Sequence, residues 1–221
     1  MAGKRIENPT SEPLQIYGRA RWLKIDKPVP FQEGAEPRYE ATFLVDPSDP
    51  KGQASAQLLL STAAKMSREV YGVVPLAIKK LAAKFIPGTK KVDLNDPANA
   101  EDGIQIPFKD GDTVEGYSGY QGMLIVPAHN KKLKPAVVNR KGVKVQEGEP
   151  QYPYDGCYVN GSVTLWVHAT HGSFAKRVGC NLRGVQFAFD GDRFTQDEVS
   201  DDEFQAMEDD NTGTADTSDF D

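Results

Sequence analysis

From Gly156 to Phe189 the chain runs thirty-four residues without an aspartate or glutamate, and the first half of this stretch alternates strictly. Val159, Gly161, Val163, Leu165, Val167 and Ala169 fall on one side of an extended strand; Tyr158, Asn160, Ser162, Thr164, Trp166 and His168 fall on the other. The first set makes a core face. The second is polar apart from Tyr158 and Trp166, and Lys176, Arg177 and Arg183 follow it. Rings beside hydrogen-bonding groups, in a stretch without negative charge, suit a polynucleotide whose bases stack while its phosphates meet cations. A sheet edge whose tryptophan lies under a loop is the competing reading of this strand taken alone.

Charge divides the chain in two. Of thirty-two acids, eleven lie between Asp197 and Asp221, where there is no lysine or arginine. Residues 1–196 keep twenty-one acids against all twenty-six bases, so a body of net charge +5 carries a strongly acidic tail. Like charges interspersed with Ser, Thr, Gly and Asn cannot bury enough apolar surface to fold alone, and 197–221 is expected to be disordered. No apolar run approaches a membrane span, and the N-terminus lacks the apolar block of a signal peptide. The expectation is a soluble, intracellular protein without a membrane partner.

Residues 1–13 read as a flexible arm. The first strand, 14–25, sets Leu14, Ile16, Gly18, Ala20 and Trp22 toward a core and Tyr17, Arg19 and Arg21 outward. A second strand covers 39–45. Leu58, Leu59, Ala63, Met66 and Val70 recur at helical spacing from Ala54 to Tyr71, and a shorter helix is expected over 76–85, so a helical insertion spans about 53–85. Short strands are expected at 104–108 and 113–126. From Gly116 to Gln146 there is again no acid, and 136–138 and 143–145 read as a hairpin with a basic tip. The last strand runs over 181–189. A mainly-β domain over 14–196 follows, burying one face of its sheet and gathering rings and cations on the other.

Motifs for catalysis are missing: there is no metalloprotease helix motif, G-x-S-x-G elbow or P-loop. The chain does not read as an enzyme, and no cofactor is implied. Cys157, His168, His171 and Cys180 offer zinc's preferred donors, but an extended 158–168 would separate the first two by roughly 35 Å. A zinc module would therefore need a sharp bend. The site expected instead is a nucleic-acid interface. Tyr17, Tyr39, Tyr158 and Trp166 would stack bases; Arg19, Arg21, Arg38, Lys131, Lys132, Arg140, Lys141, Lys176 and Arg177 would meet phosphates. RNA serves this reading as well as DNA, and a β-rich structural or assembly protein with a charged tail is the alternative from another class.

In the opening strand at 14–25, Pro37-Arg38-Tyr39 entering the next strand, the Asp46–Pro50 turn before the helix, and GCYVNGSV followed by GVQFAFDG, the chain resembles the phage-encoded single-stranded-DNA-binding proteins. The likeness covers most of 14–194 in order. It implies an OB-like Greek-key barrel with a helical insertion, and coating of single-stranded DNA in phage replication and recombination. It also implies an acidic tail that recruits replication proteins, here through Asp209, Asp210, Asp216, Asp219, the penultimate Phe220 and Asp221. A homodimer is compatible with this reading.

Overall fold

The computed structural model describes residues 8–116, 119–168 and 175–194. In β1 (Leu14–Val29), Leu14, Ile16 and Ala20 turn inward and are buried. Ala41, Phe43 and Val45 of β2 (Arg38–Val45) meet them from the neighbouring strand. Asp49 then caps α1 (Pro50–Tyr71) by accepting from the Lys51 N–H at 2.7 Å, with a proline in the first turn where its missing N–H costs nothing. The helix starts at Pro50, before the Ala54 that periodicity alone suggests. It stops at Gly72, whose φ of 75° is the left-handed ending that glycine adopts freely. α2 (Leu76–Phe85) follows, and both helices send side chains into the main core. Full burial of Leu59 or Ile78 contributes about 1.5–3 kcal/mol each.

After β3 (Lys109–Asp110) come β4 (Leu124–Asn130), β5 (Ala136–Val138), β6 (Tyr158–Val167) and β7 (Val178–Phe189). β1 pairs antiparallel with β2 and β6, β2 with β4, and β6 with β7. β4 meets β7 in parallel at His129–Asn181, which closes five strands into a barrel. The architecture is mainly β and OB-like, with two helices between β2 and β4. β5 adds to the edge of β7, Ala136–Val138 running beside Gly184–Gln186. The Val138–Lys144 bridge folds the 136–145 hairpin back on itself. In the core Gly161 lies against Phe43, where a Cβ would come within 2.5 Å of the ring. That close approach explains a glycine on an otherwise apolar strand face.

Several segments depart from the alternation. β1 bulges between Arg21 and Lys24, and Trp22 takes a φ of 54°. The Asp155 carboxylate accepts from the Trp22 and Leu23 N–H groups at 3.0 and 2.9 Å, so the bulge keeps its donors satisfied. The bulge shifts the parity of the strand, and Trp22, expected in the core, lies outside it at 36% exposure. Among the described residues of 104–108 and 113–123 no strand forms apart from an isolated bridge at Gln105. Gly116, Gly119 and Gly122 all have positive φ and turn the chain over the outer face of the barrel, where Tyr120 packs on Leu44 and Ile125. Residues 9–11, expected to be a free arm, pair with the end of β6 through Ser11–Leu165 and Val167–Pro9 backbone bonds. Among the described residues no helix is long and apolar enough to cross a membrane.

Candidate nucleic-acid interface

One outer face of the barrel gathers rings and cations from β1, β6, β7, α1 and the β5 hairpin. Register places Tyr17 opposite Asn160 and Asn160 opposite Gln186; the next row carries Arg19, Tyr158 and Phe189. The Tyr17 and Tyr158 rings lie nearly parallel, 14° apart with centroids at 5.9 Å. Lys51 stands 5.2 Å from the Tyr17 centroid and 5.7 Å from that of Phe189, and Arg140 stands 4.3 Å from Phe189. Between them runs a groove of about 240 Å³, with the Asn160–Gln186 amide pair, joined at 3.2 Å, in its floor.

The barrel holds these side chains in place. Ser55, buried on α1, accepts from the Tyr17 N–H at 2.9 Å and donates to the Lys51 carbonyl at 2.7 Å, which fixes Lys51 above the Tyr17 ring. The Gln186 amide donates to the Asn139 and Arg140 carbonyls, both at 3.4 Å, and so steers the basic hairpin over β7. Burial, then the Asp49 carboxylate, then Tyr158 raise the Tyr17 phenol above its ordinary value, so it stays neutral.

Arg19 and Arg21 have a different setting from the open one expected. Arg19 faces the Tyr158 ring at 5.8 Å, but its Nη2 donates to the Asp192 carbonyl at 2.6 Å and its Nε to that of Gly156 at 3.1 Å. The Phe194 ring covers both guanidiniums, at 4.3 and 4.6 Å. Arg21 is only 7% exposed, packed between Trp22 and Phe194, with Nη1 donating to the Phe194 carbonyl at 3.2 Å. Its guanidinium is covered in this arrangement. The strap formed by 190–194 hides it.

Other expected residues lie elsewhere. Trp166 is eight residues along β6 from Tyr158, about 26 Å away. Its ring lies flat on Gly179, and its Nε1 donates to Asn181 at 3.1 Å. That end of the barrel also carries Arg38, stacked on exposed Phe31 at 4.8 Å and paired with Glu40 at 2.9 Å. Lys131 pairs with Glu36 at 3.0 Å, and the Arg177 guanidinium donates to Gln105 at 3.0 Å. His129 lies among these groups. Burial first, then Arg38, with Lys131 and Arg177 adding, hold its imidazole below the ordinary value despite Glu40, so it stays neutral. Tyr39 alternates with the buried Ala41 and Phe43, not with the outer Arg38, and is no part of either ring cluster. Lys132 and Lys141 are exposed on turns, and Lys176 sits 5.6 Å from the Tyr71 ring. The single trough expected from the sequence is thus two clusters. Tyr17, Arg19, Tyr158 and Arg140 converge in the first; Trp166, Arg38, Lys131 and Arg177 mark the second.

Lys51, Phe189 and Phe194 were not expected at the site. Phe189 carried a signal, because it ends the same acid-free stretch as Tyr158. Lys51 carried none, since nothing local says which sheet position a helix start will cover. The zinc alternative fails on distance. Cys180 pairs with Leu165 and Cys157 precedes Tyr158, so about 26 Å of strand separates the thiols. Burial pushes them up to about 11 at Cys157 and about 12 at Cys180, keeping both protonated. His171 and the tail residues from Asp209 to Asp221 lie outside the described residues.

Known proteins resemble this chain in sequence and in fold. The family model described as Enterobacter phage Enc34, ssDNA-binding protein, matches residues 16–214. Putative protein p50 of Acyrthosiphon pisum secondary endosymbiont phage 1 is 43% identical over 90 residues, which are 40% of this chain and 45% of that relative. The match thus spans less than half of the relative's length. The single-stranded DNA-binding protein from bacteriophage Enc34 in complex with ssDNA superposes with a TM-score of 0.55 at 20% identity, over 83% of this chain and 89% of that one. Its C-terminal truncation gives 0.56 at 19% identity, over 82% and 88%. These structures share the fold; the family match, spanning nearly all of the barrel and its helices, places this chain in the Enc34 single-stranded-DNA-binding protein family.

Proposed function

We propose that the chain binds single-stranded DNA without sequence preference, as a coating protein in phage replication and recombination and not as an enzyme. The observation that carries this is the Tyr17–Tyr158 ring pair bracketed by Lys51 and Arg140. Every base has a face that can stack on a ring, so such a platform accepts any sequence, at about 1–3 kcal/mol per stacked base. The Asn160 and Gln186 amides can donate or accept, which lets the floor adapt to different base edges. Lys51 and Arg140 flank the rings, where phosphates beside the stacked bases would pass, and Lys141 follows Arg140 on the hairpin turn. Trp166 and its neighbouring cations, about 26 Å along the same strand, supply a second contact for a longer strand.

The strap at 190–194 ends over Arg19 and Arg21 at the edge of the platform, and eleven acids follow it in the sequence. Those acids compete with phosphates for the same cations when no strand is bound, and Asp209, Asp210, Asp216, Asp219, Phe220 and Asp221 become available to replication proteins when one is. An oligo(dT) titration followed by intrinsic fluorescence, at two salt concentrations, tests the proposal. Affinity should fall with salt at a log–log slope of about −2 if three phosphates are neutralised. Equal affinity for oligo(dT) and duplex DNA would count against it, and tighter binding of oligo(U) would reassign the strand to RNA.

A further inference from the structure

The helical insertion carries a groove that the strand platform does not use. Between α1, α2 and the segment after α2 lies a groove of about 470 Å³, floored by Leu60, Ala64, Ile78, Ala82 and Ile86. That volume falls within the range of about 300–1,000 Å³ typical of ligand sites. Arg68, Lys79, Lys90 and Lys91 stand around it. No ion pair to Arg68, Lys90 or Lys91 occurs among the described residues. An apolar floor inside a cationic rim selects a ligand with apolar side chains between acids.

The chain contains such a ligand. In the acidic tail, Phe204 and Met207 stand three residues apart, with Asp201, Asp202 and Glu203 before them and Glu208, Asp209 and Asp210 after. Described contacts trace a path from the end of the strap to the helix that lines the groove. Phe194 covers Arg19, Arg19 faces Tyr158, Tyr158 stacks on Tyr17, and Tyr17 carries Lys51 in the first turn of α1. Leu60 is nine residues up that helix, about 14 Å. Ten residues of extended chain, Phe194 to Phe204, span at most about 33–36 Å. Tethering makes the docking intramolecular, so its occupancy does not depend on protein concentration.

We infer that the groove between α1 and α2 docks residues 201–210 of the same chain, with Phe204 and Met207 on the apolar floor and the flanking acids on the cationic rim. The inference stands on the groove and the sequence beyond Phe194, apart from strand binding. It gives the tail a holding place on the helices, from which an acidic, apolar segment of a partner protein could displace it.

Amide spectra of the isotope-labelled full chain test it. Phe204→Ser with Met207→Ser should shift the amides of Leu60, Ala64, Ile78, Ala82 and Thr89 and leave Tyr17, Asn160 and Gln186 in place. In a chain already carrying Lys90→Glu and Lys91→Glu, both at exposed positions, the same serine changes should produce no groove shifts. Shifts at Tyr17, Asn160 and Gln186 in place of the groove would overturn the inference, as would none at either place. Groove shifts that fade on dilution would assign the segment to a second copy and overturn the intramolecular dock. Oligo(dT) affinity measured on the same variants separates the two readings. Loss of strand binding by the unaltered chain refutes the platform alone, and loss of groove shifts refutes the dock alone.

Discussion

Replacing Tyr158 with leucine removes the stackable ring while keeping apolar bulk on β6. The ring is half-buried, pairs with Tyr17 at 5.9 Å and faces Arg19 at 5.8 Å. Two losses follow and can be measured apart. Losing the ring–ring contact costs about 0.5–1.5 kcal/mol of folding stability, because leucine retains most of the burial but not the aromatic geometry. Losing a base-stacking partner costs about 1–3 kcal/mol of binding, a weakening of roughly 5- to 150-fold. Fluorescence anisotropy with labelled oligo(dT) reads the second, and thermal unfolding reads the first. Tyr17→Leu should behave alike, and the double variant should lose less than the sum of the two, because neighbouring rings share one partner. Unchanged affinity in a folded Tyr158→Leu protein would refute the platform, whatever its effect on stability.

Lys51→Ala and Arg140→Ala should each reduce the magnitude of the log–log salt slope by about 0.7, the share of one phosphate on a single strand; an unaltered slope would remove that residue from the phosphate path. Phe194→Ala should uncover Arg19 and Arg21 and tighten oligo(dT) binding at low salt, and a weaker complex would show that the strap supports the site instead of covering it. Gly179→Ala should destabilise the fold by about 1–3 kcal/mol, since a methyl there has no room beneath the Trp166 ring; an unchanged melting temperature would contradict that packing. Stability should fall as pH rises above about 9. There the unfolded chain releases thiol protons that buried Cys157 and Cys180, at about 11 and about 12, still hold in the fold. Cys180→Ala should flatten that alkaline decline in denaturant melts.

How far the sequence could be read is clearest in individual strands. Strict alternation located β6, and with it the buried Val159, Val163 and Leu165, because a strand with one buried face has no other way to distribute apolar residues. The same rule misplaced Trp22. A one-residue bulge, held by the Asp155 carboxylate from far along the chain, reverses the parity beyond it, and nothing near Trp22 announces that partner. Tyr39, two residues from Ala41, shares its side of β2 and is half-buried there, apart from the Tyr17–Tyr158 pair. Glycines in 113–126 suggest a bulged strand, whereas Gly116, Gly119 and Gly122 take positive φ and Tyr120 packs on Leu44 and Ile125. Aromatic and basic residues could be named from composition, yet which of them meet depends on distance around and along the barrel. Tyr158 and Trp166 share a face but not a neighbourhood.

Ultraviolet cross-linking of the full chain to oligo(dT), with the modified peptides identified by mass spectrometry, asks most directly where the strand lies. Adducts concentrated on Tyr17, Tyr158 and Phe189, with Trp166 joining only for longer oligonucleotides, are the predicted result. Adducts confined to Trp166 and Phe31, or absent from the β1–β6–β7 face at every length, would contradict it.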